Sequence, residues 1–269
     1  MNLADARVVL RPRTLGEILD LAARWCFNAD RVLYARVAAA VLLPSLVLCV
    51  VARWAWLWSW TEVWLLAVAL CTVAQGAFTV ATSRALFEHD VSAWAVLRQW
   101  LRRLPSYVGA LLVTRSILAI GAVTFVLLPS AWIRVAMVHE ASLLEGSSPI
   151  SATDRAWQMA RFRGTEMALM LGGLGLAIMG GIAAAELLGH GLVEVVLQLG
   201  RPLGELVEDG GSLYALVGFH AAIPYVAVAR FLGYVDQRTR GDGWDIQLRF
   251  MALAAEDARM REPPQRRAS

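Results

Sequence analysis

The chain is 269 residues long, 58% apolar and 17% charged, where soluble domains run at about 45–50% and about 25%. That excess excludes a disordered chain, a coiled coil and a disulfide-stapled secreted domain, and makes lipid the natural solvent for much of the surface. The net charge is only +3 and all 25 basic residues are arginine, so the informative quantity is where the arginines sit.

Segment 1–36 reads as cytoplasmic. Six arginines precede the first long apolar run, so that run reads as a retained membrane anchor and not a cleavable signal. Within the segment, 14–17 (TLGE) has the spacing of a capping box. Leu15, Ile18, Leu19, Ala22, Trp25 and Cys26 follow on one face, which predicts a helix over 14–27 lying on the membrane surface. Crossing about 30 Å of hydrocarbon takes about 20 apolar residues. Runs of that kind predict spans at 37–57, 63–83, 107–128, 130–144, 167–188 and 212–235, followed by a cytoplasmic tail over 236–269. The fourth begins after Pro129 and is shorter and more polar than the rest. A second apolar stripe, Val91, Trp94, Leu97, Leu101 and Leu104, precedes the third span, with Pro105 placed to open it. The expected architecture is therefore all-α: one polytopic membrane domain of six transmembrane helices with cytoplasmic interfacial helices.

The arginines test this count independently. Segments 1–36, 84–104, 146–166 and 230–269 together hold 21 of them, whereas the opposite connections hold 2, Arg53 and Arg201. The split puts both termini in the cytoplasm. Treating 107–144 as one kinked or re-entrant element would move the C-terminus across and destroy the asymmetry. At the first outer turn, Trp54, Trp56, Trp58, Trp60 and Trp64 read as an aromatic belt at headgroup level. The last outer connection, 191–211, carries Glu194, Glu205, Glu208 and Asp209 without metal-ligand spacing.

A charge inside a span costs about 2.5–3.5 kcal/mol on insertion scales, so each one requires a partner or a purpose. Arg115, Glu140 with its neighbour His139, and His220 fall at similar depth. They predict a buried Arg115–Glu140 pair with His139 or His220 beside it. Nearer the outer surface, Arg134 and Glu186 form a second expected pair. Both pairs read either as register-fixing ion pairs or as a polar path. Pro224 removes a backbone hydrogen bond close to His220, so a kink is expected there. In the fifth span, Gly173, Ala177, Gly181, Ala185 and Gly189 recur every four residues, a ladder that admits a close neighbouring helix from this chain or from a second copy.

No GxSxG, HExxH or phosphate-loop spacing occurs, the cysteines Cys26, Cys49 and Cys71 show no CxxC, and no cofactor or metal is implied. The basic segments are interleaved with membrane-type stripes, so the expected partners are anionic lipid headgroups on the cytoplasmic side. A membrane protein partner or a homo-oligomer is the alternative, and nucleic acid is not expected. The function these features favour is a non-enzymatic membrane module that scaffolds a partner or contacts lipid. The alternative is a transporter or channel for a small solute, ion or lipid that uses the buried polar cluster.

Three stretches carry a family likeness: 10–20 (LRPRTLGEILD) leading to Leu43 and Pro44; 144–146 (LEG) with the following 152–163; and 234–240 (YVDQRTR) with 243–245 (GWD). In this order they resemble the glycerophosphoryl diester phosphodiesterase membrane-domain family, without its catalytic domain. The resemblance implies six helices and an exit motif of Tyr234, Asp236, Arg238, Arg240, Gly243, Trp244 and Asp245 where the last helix leaves the bilayer, and it transfers no active site. On charge alone, Asp236 or Asp245 paired with a loop arginine would lock that face, while Arg238 and Arg240 could meet lipid phosphates.

Overall fold

The computed structural model describes residues 11–88, 90–200 and 202–241. Thr14 caps the first helix as its sequence requires: its hydroxyl accepts from the Glu17 N–H at 3.3 Å, and the Glu17 carboxylate accepts from the Thr14 N–H at 2.9 Å. Helix α1 (Leu15–Arg24) then runs into a π-helical turn over Trp25–Ala29. Its stripe does not simply rest on a membrane surface. Ile18, Ala22, Trp25 and Cys26 are buried, Leu19 sits where a side chain on Gly173 would touch it, and the Leu19 carbonyl accepts from the Tyr225 hydroxyl. The stripe is satisfied by the protein itself, and burial pushes the Cys26 thiol up to about 11.

The remaining helices are α2 (Arg31–Trp54), α3 (Trp60–Ala85), α4 (Ala93–Val123), α5 (Leu128–Val135), α6 (Val138–Glu145), α7 (Pro149–His190) and α8 (Leu213–Gly241). Five of these provide helices long and apolar enough to cross a membrane: Arg31–Trp54, Trp60–Ala85, Ala93–Val123, Arg163–Val196 and Leu213–Gly241. The chain is thus an all-α, multi-pass membrane protein. The six-span expectation fails at the fourth position. There the chain forms two eight-residue helices, α5 and α6, each only about 12 Å long at ~1.5 Å per residue. The pair runs back along α4, with Gly121 facing Leu128 and Ala131 and Arg103 donating to the Leu143 carbonyl.

The third span differs as well. The stripe before Pro105 and the apolar run after it are one helix of 31 residues, because a proline inside a helix removes a single hydrogen bond and neighbouring packing compensates for it. Helix α7 is kinked at Arg163, whose φ of −137° leaves the helical region and separates a polar first part from the apolar stretch.

Helix α8 is the axis of the bundle. Of its apolar window 72% is buried, against 28% in each of α2, α4 and α7. The four-residue ladder meets it within the chain: Gly181 and Ala185 lie against Gly218 and Ala222, and Gly189 lies against Tyr214. Gly173 faces α1 instead, and Ala177 is half-buried between these contacts. The described chain ends meet. The Arg13 N–H donates to the Asp236 carboxylate at 2.7 Å, and Arg240 donates to the Arg13 carbonyl. We call this the arginine end of the bundle, and the opposite one the tryptophan end.

Candidate functional site

The buried ionic centre expected from the sequence exists, with a different partner. Glu140 is fully buried and is held by Arg230 of α8, which donates from Nε at 2.7 Å and from its terminal nitrogen at 3.0 Å. The same guanidinium donates to the Ala136 carbonyl. Ala136 caps α5, and α6 begins two residues later, so its carbonyl lies at the helix break. Arg230 therefore neutralises the carboxylate and satisfies the break together. Arg115 does not pair with Glu140. It is exposed and donates to the Thr72 hydroxyl at 3.3 Å.

The other expected members are dispersed. His139 packs edge-on to the Tyr107 ring, 5.8 Å between centroids. His220 stands apart on α8. Its Nδ1 lies 2.8 Å from the Leu216 carbonyl, which can only accept, so Nδ1 carries the proton and Nε2 accepts from the Ser45 hydroxyl at 3.0 Å. Pro224 leaves α8 a single continuous helix. The outer pair is not formed either. Arg134 stacks over the Trp157 ring at 5.3 Å, while Glu186 accepts from the Leu206 N–H at 2.8 Å, from the Ser212 hydroxyl and from His190. The depth of these charges is legible in the sequence. Their direction around each helix is not, because the helix break rotates α6 relative to any continuous span through 130–144.

One face of α8 continues the ionic theme toward the arginine end. Arg230, Tyr234 and Arg238 are spaced four apart and share that face. Tyr234 donates its hydroxyl to Glu145, Arg238 reaches the same carboxylate at 3.1 Å, and Arg155 reaches it at 3.0 Å. Gly146, at φ +63°, ends α6 immediately after Glu145 in the left-handed conformation that glycine adopts without strain. Asp236, one face over, accepts from the Arg13 N–H and from Arg240 Nε at 2.8 Å. Asp236 thus joins the N-terminal segment through a backbone donor, while its arginine side-chain partner is Arg240 of its own helix and not a loop arginine. Gly243, Trp244 and Asp245 lie outside the described residues.

Sequence reasoning missed Arg230 as a largely enclosed residue of the bundle, because it reads as the first arginine of the tail. It also missed Glu145 as a hub. The available signal was the spacing of Arg230, Tyr234 and Arg238 on one helix face.

Beside this ladder opens a cleft of about 780 Å³ between α3, α4, α6 and α8. Arg84, Arg103 and Arg238 line it together with Glu88, Glu145 and Gln99, and its apolar wall is formed by Leu86, Phe87, Leu144, Phe231 and Val235. Among the described residues, no group of His, Cys, Asp and Glu could hold a metal ion.

At the tryptophan end, Trp64 donates its indole N–H to the Gly210 carbonyl at 3.1 Å, and Trp60 lies flat against Gly211 beneath Arg53. Only Trp54, Trp56 and Trp58 of the five keep the exposed, belt-like position. The comparison with known proteins adds no relative to this geometry: no family model, no curated protein and no solved structure matches the chain.

Proposed function

We propose that this protein is a non-enzymatic integral membrane module of the bacterial inner membrane that contacts anionic lipid through its arginine end. On this reading both termini are cytoplasmic: the broken pair α5–α6 returns the chain along α4, the described ends meet at Arg13 and Asp236, and the distribution of arginines favours the cytoplasmic side for that end. One observation carries the reading. The cleft of Arg84, Arg103 and Arg238 is backed by Leu86, Phe87 and Phe231, which places cationic donors and an apolar wall side by side where the last helix leaves the bundle. Water-soluble anions need only the first of these, and lipids use both. The transport alternative drew on a cluster of Arg115, Glu140 and His220. Those side chains contact Thr72, Arg230 and Ser45 respectively, so that alternative has less support than lipid contact. The resemblance to the glycerophosphoryl diester phosphodiesterase membrane-domain family fits a module without chemistry of its own.

The test is gentle purification from native membranes with mass spectrometry of every bound lipid and protein. Enrichment of anionic lipid over its share of the surrounding membrane supports the reading. A stoichiometric protein partner without lipid enrichment overturns it in favour of a scaffold.

A further inference from the structure

We infer that the cleft at the arginine end is a discrete site for one phosphate-bearing headgroup of an anionic phospholipid, with Arg103 as its principal ligand. The inference rests on the lipid-contact reading and narrows it from a face to a single site of defined chemistry.

Three arginines face two carboxylates in the cleft, and the carboxylates are already engaged. Glu88 is held by Arg84 through contacts of 2.7, 3.2 and 3.3 Å, and Glu145 is held by Tyr234, Arg155 and Arg238. Arg103 is different. Its terminal nitrogen donates to the Leu143 carbonyl, a neutral acceptor, and among the described residues it forms no ion pair. The cleft therefore holds one cationic charge that no carboxylate neutralises, half-buried and fixed in direction by a backbone contact.

Geometry restricts the occupant further. A guanidinium has five N–H donors, so Arg84 and Arg103 each retain donors beyond those used in their present contacts, and Arg238 adds a third positive charge to the lining. They come from three different helices, α3, α4 and α8, and converge on one cleft. Convergent arginine forks match the several acceptor oxygens of a phosphate better than a single carboxylate. The apolar wall of Leu86, Phe87, Leu144, Phe231 and Val235 would be a poor lining for a free hydrated anion. It suits the glycerol and first methylenes of an acyl chain. The volume of about 780 Å³ falls within the range of about 300–1,000 Å³ usual for small-molecule sites.

The experiment uses the full chain, purified in a neutral detergent and titrated with three probes: dioctanoyl phosphatidic acid, dioctanoyl phosphatidylcholine and inorganic phosphate. Bound stoichiometry is read by native mass spectrometry. The site predicts one saturable equivalent of phosphatidic acid, at least tenfold weaker binding of phosphatidylcholine, and no saturable binding of phosphate at the same concentrations. Arg103→Gln should weaken phosphatidic acid at least tenfold, Arg103→Lys should recover part of that loss, and Arg102→Gln on the adjacent exposed surface should change nothing. Should Arg103→Gln not fold, Arg84→Gln is the second variant, with a loss of at least threefold expected. Phosphate binding as tightly as phosphatidic acid would overturn the lipid assignment. Binding unaffected by both cleft variants would overturn the site. If anionic lipids are enriched in native membranes yet no saturable equivalent is seen, this inference fails while the proposed function stands. If neither is seen, both fail.

Discussion

The two ends of the bundle solve the same problem with different chemistry. Each shields a glutamate on a helix, wholly for Glu140 and in large part for Glu186. At the arginine end Glu140 has no exposed surface and is neutralised by a full cation, Arg230, in a two-point contact. At the tryptophan end Glu186 is satisfied by neutral donors, the Leu206 N–H and the Ser212 hydroxyl, with His190 alongside. Arginine serves at the first end because one guanidinium holds both Glu140 oxygens and the Ala136 carbonyl at the helix break. The second end is covered by the 202–212 segment, which Trp60 and Trp64 fasten, so backbone and hydroxyl donors are at hand. A shielded carboxylate therefore does not by itself indicate a charge partner. What covers the helix end determines whether the partner is an ion or a dipole.

The same substitution at both positions is the sharpest way to break this comparison. Glu140→Gln leaves Arg230 buried without its counter-charge and should cost about 3–5 kcal/mol, read as a large drop in the thermal unfolding midpoint in detergent. Replacing both partners together, Glu140→Leu with Arg230→Met, should recover only part of that loss: burying neither charge removes the desolvation cost, but the Ala136 carbonyl loses its donor. Glu186→Gln keeps an acceptor oxygen toward neutral donors and should cost about 1–2 kcal/mol. Equal losses at the two positions would dissolve the distinction between the ends.

Packing between the ends gives the next effect. A β-carbon on Gly218 would lie 2.7 Å from the Ala185 β-carbon, so Gly218→Val should destabilise by about 1–3 kcal/mol through overpacking of α7 on α8. Gly172, where a side chain would meet nothing within 4 Å, is the control: Gly172→Ala should be neutral or mildly stabilising in the same melt.

The smallest effects belong to α1. Thr14→Ala removes the cap and should cost about 1 kcal/mol, which corresponds to about fivefold faster labelling of buried Cys26 in a Cys49→Ala, Cys71→Ala background. The Glu17 carboxyl is held below its ordinary value of 4.5, first by the Thr14 N–H and then by Arg11. Because its folded value is depressed, that support is present above the ordinary range and is lost as pH falls through the depressed value. Glu17→Gln, which mimics protonation, should therefore raise Cys26 labelling in the same direction at neutral pH. Unchanged labelling in both variants would show that packing on α7 and α8 alone holds α1.

The solvent, the helical class and much of the local chemistry are legible in the residue order. Apolar runs long enough to span, the Thr14–Glu17 capping box and the small-residue ladder from Gly173 to Gly189 all depend on near neighbours in the chain, and their physics is complete within a few turns. The arginine asymmetry is likewise a property of segments and needs no pairing to be read. The tertiary structure alone decided which partner each polar group takes. Glu140 meets Arg230 and not Arg115, and Glu186 meets Ser212 and not Arg134, because a contact between helices depends on rotation and tilt that residue spacing does not encode. It also decided that the fourth expected span is two short helices. That break becomes tolerable only when Arg230, 94 residues distant, supplies the donor for the Ala136 carbonyl.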